Sequence, residues 1–154
     1  MRPNVFNSSF EYSESDPEGY HGGEARVGKQ AGGKALTVRL YELPVAQSLC
    51  PYHYEYEEEW LLILDGAPTL RTPAGEEQLT RGDLVCFPPG PDGAHKLTSN
   101  ERDATRLLMW SSSREPAVAV YPDSDKIGVW TGNREDDLLV RRSSRVDYFD
   151  GEAG

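Results

Sequence analysis

The sequence predicts an all-β fold, a sandwich or barrel of short strands. Short apolar runs recur at close intervals from residue 35 onward, and turn-forming residues separate them. No long segment has the 3.6-residue period of an amphipathic helix. The 154 residues include 15 Gly and 11 Pro, which suits a fold with many tight turns. We therefore expect helix to be a minor component.

The chain is long enough for one domain with one core. Residues 1–34 carry few large apolar groups and many glycines, serines and acids, so we expect this N-terminal arm to pack on the barrel or on a partner subunit. The barrel itself is predicted over residues 35–132. Residues 133–154 are expected to form a C-terminal surface segment that docks a few aromatic side chains, with a short helix near residues 136–140.

The first barrel strand is predicted in ALTVRLYEL, where Leu36, Val38 and Leu40 alternate with more polar residues. This is the period of a half-buried strand. The run at residues 60–64 is apolar at every position, which predicts a strand buried on both faces. Further strands are expected over residues 69–72, 83–87, 94–98, 105–110, 117–121 and 127–130.

Charge and composition exclude several classes of partner. The formal net charge of -10 repels nucleic acid and anionic membrane surfaces. No apolar stretch approaches the roughly 20 residues that cross a bilayer, and the N-terminus lacks the apolar segment of a secretory signal, so we expect a cytoplasmic protein. Cys50 and Cys86 are expected to be free thiols that pack as small hydrophobic groups.

One segment, CPYHYEYEEEWLLILDG, concentrates metal-ligating side chains. Alternate side chains of a strand share a face, so His53, Glu55 and Glu59 can point the same way. An imidazole nitrogen and carboxylate oxygens can converge on one cation at about 2.0–2.2 Å. A further ligand must come from elsewhere in the fold. The only other histidines are His21 and His95, and His95 ends a second distinctive stretch, GDLVCFPPGPDGAH.

Together the two stretches resemble the two metal-binding motifs of the small cupins. The matching positions are His53, Glu55, Glu59 and Gly66, then Gly82, Asp83, Pro88, Gly90, His95 and Asn100. The resemblance covers residues 36–110 and implies a double-stranded β-helix, or jelly-roll barrel, with one divalent metal ion inside. It also implies that His53, Glu59 and His95 are metal ligands, and that the chain forms a homodimer.

Glu55 departs from the usual cupin pattern, which has a second histidine there. Two imidazoles and two carboxylates neutralise a divalent cation, so the metal should be a weaker Lewis acid than one held by three imidazoles and one carboxylate. Oxygen ligands favour iron, manganese or zinc over copper. We expect the ligands to be His53, Glu55, Glu59 and His95, with Glu55 acting as the catalytic general base if it leaves the metal.

Other conspicuous residues have ordinary structural interpretations. Runs of charge are usually solvated, and we assign Glu57 and Glu58 to such a face. His21 is expected on the surface of the arm. Aromatic residues on alternating strands are more often core than pocket. The expected core aromatics are Tyr41, Trp60, Trp110 and Trp130, and those expected to face outward or a subunit interface are Tyr52, Tyr54 and Tyr56.

Two functions from different classes follow. The first is a metal-dependent enzyme acting on a small molecule that chelates the metal through oxygen atoms, as a dioxygenase, isomerase, lyase or decarboxylase. The second is a non-catalytic cupin that binds a small ligand, or in which the four side chains close a tetrahedral zinc site. The fold does not select among these chemistries, but the metal's coordination number separates an open site from a closed one.

Overall fold

A computed structural model describes residues 2–153. The all-β prediction is confirmed: strands dominate, and the one α-helix described, α1 (Val27–Ala31), has five residues. The strands are Glu11–Tyr12 (β1), Gly23–Ala25 (β2), Leu36–Leu43 (β3), Tyr54–Glu55 (β4), Glu59–Asp65 (β5), Thr69–Thr72 (β6), Gly75–Gln78 (β7), Leu84–Phe87 (β8), Lys96–Thr98 (β9), Thr105–Ser112 (β10), Ala117–Tyr121 (β11), Lys126–Trp130 (β12) and Leu138–Arg141 (β13). Short 3-10 turns lie at Pro91–Gly93, Pro122–Ser124 and Arg142–Ser144. No helix in the described residues is long and apolar enough to cross a membrane.

The strands form two facing layers, as in a jelly roll. One layer is a six-stranded sheet in the order β1-β2-β3-β10-β5-β8. The other consists of a four-stranded sheet, β13-β12-β11-β4, and a three-stranded sheet, β7-β6-β9. An antiparallel bridge between His53 and His95 joins the edges of these two smaller sheets. The bridge matters for function because it lies at the two predicted histidine ligands.

The hydrophobic core fills one end of the space between the layers. Its buried residues come from both layers and are Leu43, Leu61, Ile63, Leu70, Leu79, Phe87, Leu97 and Leu107. Toward the other end, the inward side chains become polar. On β3 the sequence runs from Leu43 through Tyr41 to Arg39, and on β5 it runs from Leu61 to Glu59. The barrel is therefore closed by apolar packing at one end and lined by polar groups at the other.

The N-terminal arm covers the outer face of the six-stranded sheet. Strand β2 pairs with β3, and Ala25 lies opposite Leu40. Ala25 and Val27 form a second buried cluster with Leu40, against which Phe10 and Val38 pack. Both faces of β3 are thus in contact with other parts of the chain, the apolar face with the arm and the polar face with the barrel interior.

The predicted helix near residues 136–140 is wrong, because this segment contains strand β13. It pairs with β12, and Val140 lies opposite Ile127. The expected docking of tail aromatics is also wrong. Tyr148 and Phe149 are 89% and 76% exposed and contact each other edge to face.

Three expectations about burial need correction. Tyr54 is buried against Ala94 and Val120, since β4 pairs with β11 and is covered on that side. Cys86 is exposed, because it points to the outer face of β8, the strand at the sheet edge, while its neighbour Phe87 points into the core. Strand β5 is fully buried only on its inner face; the outward side chains at 60, 62 and 64 are half-buried.

Candidate metal centre

The backbone holds the two motif histidines side by side. The amide nitrogen of His53 donates to the His95 carbonyl at 3.1 Å, and that of His95 donates to the His53 carbonyl at 2.8 Å. The ring centroids are 4.7 Å apart. This pairing brings together two residues 42 positions apart in the sequence and fixes them before any ligand is considered.

Each imidazole is oriented by the same local hydrogen bond. Nδ1 of His53 lies 3.0 Å from the carbonyl of Pro51, and Nδ1 of His95 lies 2.9 Å from that of Gly93. A carbonyl oxygen only accepts, so each Nδ1 carries the proton and donates it. Each Nε2 therefore has a free lone pair, the tautomer that a metal-binding imidazole requires.

Aromatic side chains pack against both imidazole rings. The Phe87 ring stacks on His95 with centroids 3.6 Å apart, and the Tyr121 ring stacks on His53 at 5.7 Å. Cys50 Sγ lies 3.5 Å from His53 Nδ1. Burial raises the pKa of the Cys50 thiol, so the thiol stays protonated at neutral pH. These neighbours restrict ring rotation and keep both Nε2 atoms in place.

Glu59 completes the group from strand β5. Its Oε2 lies 3.7 Å from His95 Nε2, and one ligand atom from each of His53, Glu59 and His95 lies within 4.8 Å of the other two. Glu59 Oε2 and His95 Nε2 are both buried and have no hydrogen-bond partner. Unpartnered buried polar atoms are costly, and a cation between these atoms would satisfy both. The three residues therefore fit a divalent metal.

In the metal-free protein, burial favours the uncharged forms of these three side chains. Burial, reinforced by the neighbouring Glu55 carboxylate, raises the pKa of Glu59 to about 8. Burial and the neighbouring His53 lower the pKa of His95 to about 3, and burial also lowers the pKa of His53. A bound cation reverses this tendency for Glu59, because it favours the ionised carboxylate.

Glu55 lies near this group but is outside the set of three. It is half-buried on β4 and faces the same cavity as His53 and Glu59. Burial raises the pKa of its carboxyl group, and the Arg39 guanidinium partly opposes this. Its assignment as fourth ligand and as base stays a prediction. His21, the remaining histidine, is exposed on the arm.

Two of the three residues, His53 and Glu59, line a cavity of about 780 Å³ at the polar end of the barrel, and His95 lies behind them. His53, Glu55 and Glu59 line it. Its walls also include side chains from β3, β10, β11 and β12, among them Thr37, Arg39, Tyr41, Met109, Ser111, Tyr121 and Trp130. This volume is within the usual range of small-molecule sites. The group can therefore be reached by a small ligand.

The sequence interpretation missed most of this wall. Tyr41 lines the cavity and also packs against the core, as expected. Trp130 lines the cavity and is 38% exposed, and Trp110 stacks on Trp60 on the outer face of the six-stranded sheet, so the expectation that these tryptophans are core is wrong. Arg39 was also missed as a cavity residue, and Glu57, which was expected on a solvated face, is half-buried and lines the cavity. The available signal was the alternation on β3: because Leu40 and Val38 are covered by the arm, the polar residues between them point into the barrel.

Comparisons with solved structures identify the fold. A sugar phosphate isomerase of the cupin superfamily from Silicibacter pomeroyi matches with a TM-score of 0.78 and 19% identity over 96% of each chain. A candidate sugar phosphate isomerase from Acidithiobacillus ferrooxidans matches with a TM-score of 0.79 and 21% identity, over 93% of this chain and 91% of that one. A polyketide cyclase from Streptomyces resistomycificus matches with a TM-score of 0.63 and 18% identity, over 76% and 82%.

Comparisons that use the sequence alone find no related protein or family. Neither a scan against protein-family models nor a search of curated proteins finds a match. At identities near 20%, the structural matches establish the architecture and leave the reaction open. The two layers, the His53–His95 bridge and these matches agree with the motif resemblance, and the chain has the jelly-roll fold of the cupin superfamily.

Proposed function

We propose that the protein is a metal-dependent enzyme acting on a small molecule that chelates the metal through oxygen atoms. The observation that carries this proposal is the position of the group formed by His53, Glu59 and His95. Its ligand atoms lie within 4.8 Å of one another, and the group borders a cavity large enough for a metabolite. Three protein ligands leave coordination positions for a substrate or water.

The bound metal would supply Lewis-acid activation of a chelating oxygen. The residues around it would orient the substrate and handle its proton. Glu55 is placed to accept a proton if it does not bind the metal, because its carboxylate faces the cavity beside Glu59. Burial raises the pKa of Tyr41 to about 12, so its hydroxyl remains a hydrogen-bond donor at neutral pH. The neighbouring Arg39 guanidinium can bind a substrate oxygen.

The named relatives do not select the reaction. Two are described as sugar phosphate isomerases and one as a polyketide cyclase, and at this level of identity neither chemistry transfers to the present chain. Dioxygenase, isomerase, lyase and decarboxylase activities all stay within the proposal. Iron, manganese and zinc are the metals that its oxygen and nitrogen donors would bind.

The first test is elemental analysis of protein purified without a metal-affinity step, together with X-ray absorption at the metal edge. We expect about one equivalent of iron, manganese or zinc per chain, with five or six ligands. His53→Ala and His95→Ala should each lose the metal, while His21→Ala, the matched control, should keep it. Equal retention in all three variants would contradict the assignment of the site. A four-coordinate zinc held only by protein atoms would favour the non-catalytic cupin.

We further infer that the protein is a cytoplasmic homodimer. The homodimer follows from the resemblance to small cupins, and the proposed location is supported by the free thiols of Cys50 and Cys86. Light scattering coupled to size-exclusion chromatography should give twice the chain mass of 17.2 kDa. A monomeric mass at micromolar concentration would refute the dimer without affecting the metal site.

A further inference from the structure

The strongest feature outside the metal group is the charge of the cavity walls. We propose that the cavity selects chelating ligands whose distal end carries a positive charge, such as an ammonium group, and disfavours phosphorylated or otherwise anionic ones. This inference names the ligand class of the metal site and rests on the proposed function.

Carboxylates outnumber cationic groups on these walls. Besides Glu55 and Glu59, five acidic residues line the cavity, whereas the lysine and arginine side chains that line it are only Arg39 and Arg114. The five are Glu11, Asp16, Glu24, Glu57 and Glu115. A cleft lined by one sign of charge concentrates its field, because the protein walls have a low dielectric constant. Even with a divalent cation bound, the ionised walls carry a net negative charge.

The two cationic groups do not make an anion site. Arg39 forms an ion pair with Glu24, with Nη1 3.3 Å from Oε2, and it also lies close enough to Glu55 for each to shift the pKa of the other. Arg114 is an exposed residue after the end of β10. Glu24 also pairs with Arg26, whose Nε lies 2.9 Å from Oε1. A dianionic phosphate would therefore meet one guanidinium already paired with a carboxylate and one exposed to solvent, where screening weakens its attraction.

The aromatic part of the wall fits a cationic group. Trp130 is 38% exposed and lines the cavity. A cation lies over the Tyr121 ring, where the Lys126 ammonium is 5.2 Å away, but none lies over Trp130 among residues 2–153. An indole face is the best aromatic partner for an ammonium group. Glu57 and Glu115 line the same cavity and add carboxylates that favour the same charge.

The inference also depends on a second, independent feature, the buried metal group. His95 Nε2 is unpartnered, and its side chain is only 3% exposed. This atom lies 3.7 Å from Glu59 Oε2, and Glu59 and His53 line the cavity, so a metal held by these residues would mark the end of the cavity where the chelating oxygens bind. The acidic wall then contacts the remaining, distal part of the ligand. Chelation and charge selection are thus assigned to different parts of one site.

The test uses three hydroxamates that share the same chelating group and differ at the distal end. They are propionohydroxamate, β-alanine hydroxamate and succinate monohydroxamate, with methyl, ammonium and carboxylate termini. Calorimetry at low ionic strength measures the association constant of each compound with manganese-loaded protein. This constant is then divided by the association constant of the same compound with free manganese. We expect the ammonium compound to bind at least about tenfold tighter than the carboxylate compound. Added salt should reduce the difference.

The matched variants are E57Q/E115Q and the control E101Q, whose glutamate is exposed and outside the cavity. The double variant should lose at least about half of the ammonium preference, whereas the control should retain it. Thermal unfolding of both variants checks their folding, and the salt dependence in the unmodified protein provides the same test without mutation.

The outcomes separate the two proposals. If all three compounds bind only to metal-loaded protein but the carboxylate compound binds as tightly as the ammonium compound, the charge selection is refuted and the metal site stands. An unchanged preference in E57Q/E115Q would also refute it. If none of the compounds binds, or if binding persists in His95→Ala, the proposed function fails, and this inference fails with it.

Discussion

At the scale of single residues, the site depends on two buried atoms without partners, Glu59 Oε2 and His95 Nε2. A buried carboxylate beside a neutral imidazole is unfavourable unless the carboxyl group is protonated or a cation is present. The raised pKa of Glu59 and the lowered pKa of His95 both express this cost. The free energy of unfolding of the metal-free protein should therefore depend on pH.

We predict that the free energy of unfolding of metal-free protein falls as the pH rises from 7 to 8. The pKa of Glu59 is about 8 in the folded protein, against an ordinary value of 4.5 for the unfolded chain. In this range only the folded state holds the proton, so stability is lost with increasing pH. The slope should be at most about 1.4 kcal/mol per pH unit. The pKa values of His95 and His53 are lowered from 6.5 in the folded protein, so these two imidazoles make stability rise with pH, and most of that rise is complete below pH 7. Urea unfolding at several pH values, in the presence of a metal chelator, measures the change of the unfolding free energy with pH.

The control for this prediction is Glu59→Gln. Its side chain has nearly the same shape and does not titrate, so its unfolding free energy should not fall between pH 7 and 8. A slope equal to that of the unmodified protein would assign the pH dependence to a different group.

Glu55 has its own prediction, because it stands where cupins usually have histidine. Glu55→His should keep one equivalent of metal, since imidazole replaces carboxylate as a donor, and should raise the Lewis acidity of the metal. For iron, the reduction potential should rise. Elemental analysis and redox titration measure the two effects, with Glu55→Ala as the control that supplies no donor. Loss of metal in Glu55→His but not in Glu55→Ala would assign Glu55 a role other than ligation.

Much of the site was predictable because its residues belong to two compact motifs. The resemblance of these motifs to those of the small cupins was sufficient to select His53, Glu59 and His95, which the structure brings together. Whether Glu55 binds the metal depends on differences of about an ångström in the position of its carboxylate, and a spacing of two residues does not determine these. The cavity wall depends on which face of each strand is covered, and that is set by distant segments.

At the scale of elements, strand β3 shows why burial patterns can mislead. Its alternation correctly predicts a strand, and Leu40 is indeed fully buried. The apolar face, however, is covered by the N-terminal arm, and the polar face forms the cavity wall. All eight predicted strands are present, whereas β1, β2, β4, β7 and β13 were missed. Each missed strand has two to four residues, too few to display a period.

The loop before His95 gives a prediction at this scale. A Cβ on Gly93 would lie 1.8 Å from the Pro88 carbonyl oxygen, so Gly93→Ala requires the backbone to move. Because the Gly93 carbonyl also orients the His95 ring, this variant should lose metal affinity by at least about tenfold and lose about 2 kcal/mol or more of stability. Metal titration and chemical unfolding measure both effects.

The matched control is Gly75→Ala at the first residue of β7, directly after the turn that follows β6. Gly75 has a φ of +127° but open space around its Cβ position. Alanine there should cost about 1 kcal/mol through backbone strain and leave metal affinity unchanged. If the two variants bound metal equally well, the loop would have no role in orienting His95.

At the scale of the whole molecule, the site joins both layers of the barrel. Glu59 belongs to the six-stranded sheet, His53 precedes β4 and His95 precedes β9. A bound metal would therefore connect three sheets and stabilise the folded state by mass action. We predict that one equivalent of manganese or zinc raises the midpoint of thermal unfolding by several degrees. The same addition to His95→Ala should give no shift, and an equal shift there would indicate binding elsewhere on this acidic protein.

The backbone pairing of His53 with His95 has a consequence for how the protein acquires its metal. In small zinc domains the chain folds only as the ion binds, so loading and folding are one event. Here the amide and carbonyl groups of the two histidines hold each other without an ion, and little conformational freedom is left to lose. Metal should enter a ready-made site and leave it again without unfolding. The metal present in the cell would then reflect supply and exchange rates more than the conditions during synthesis.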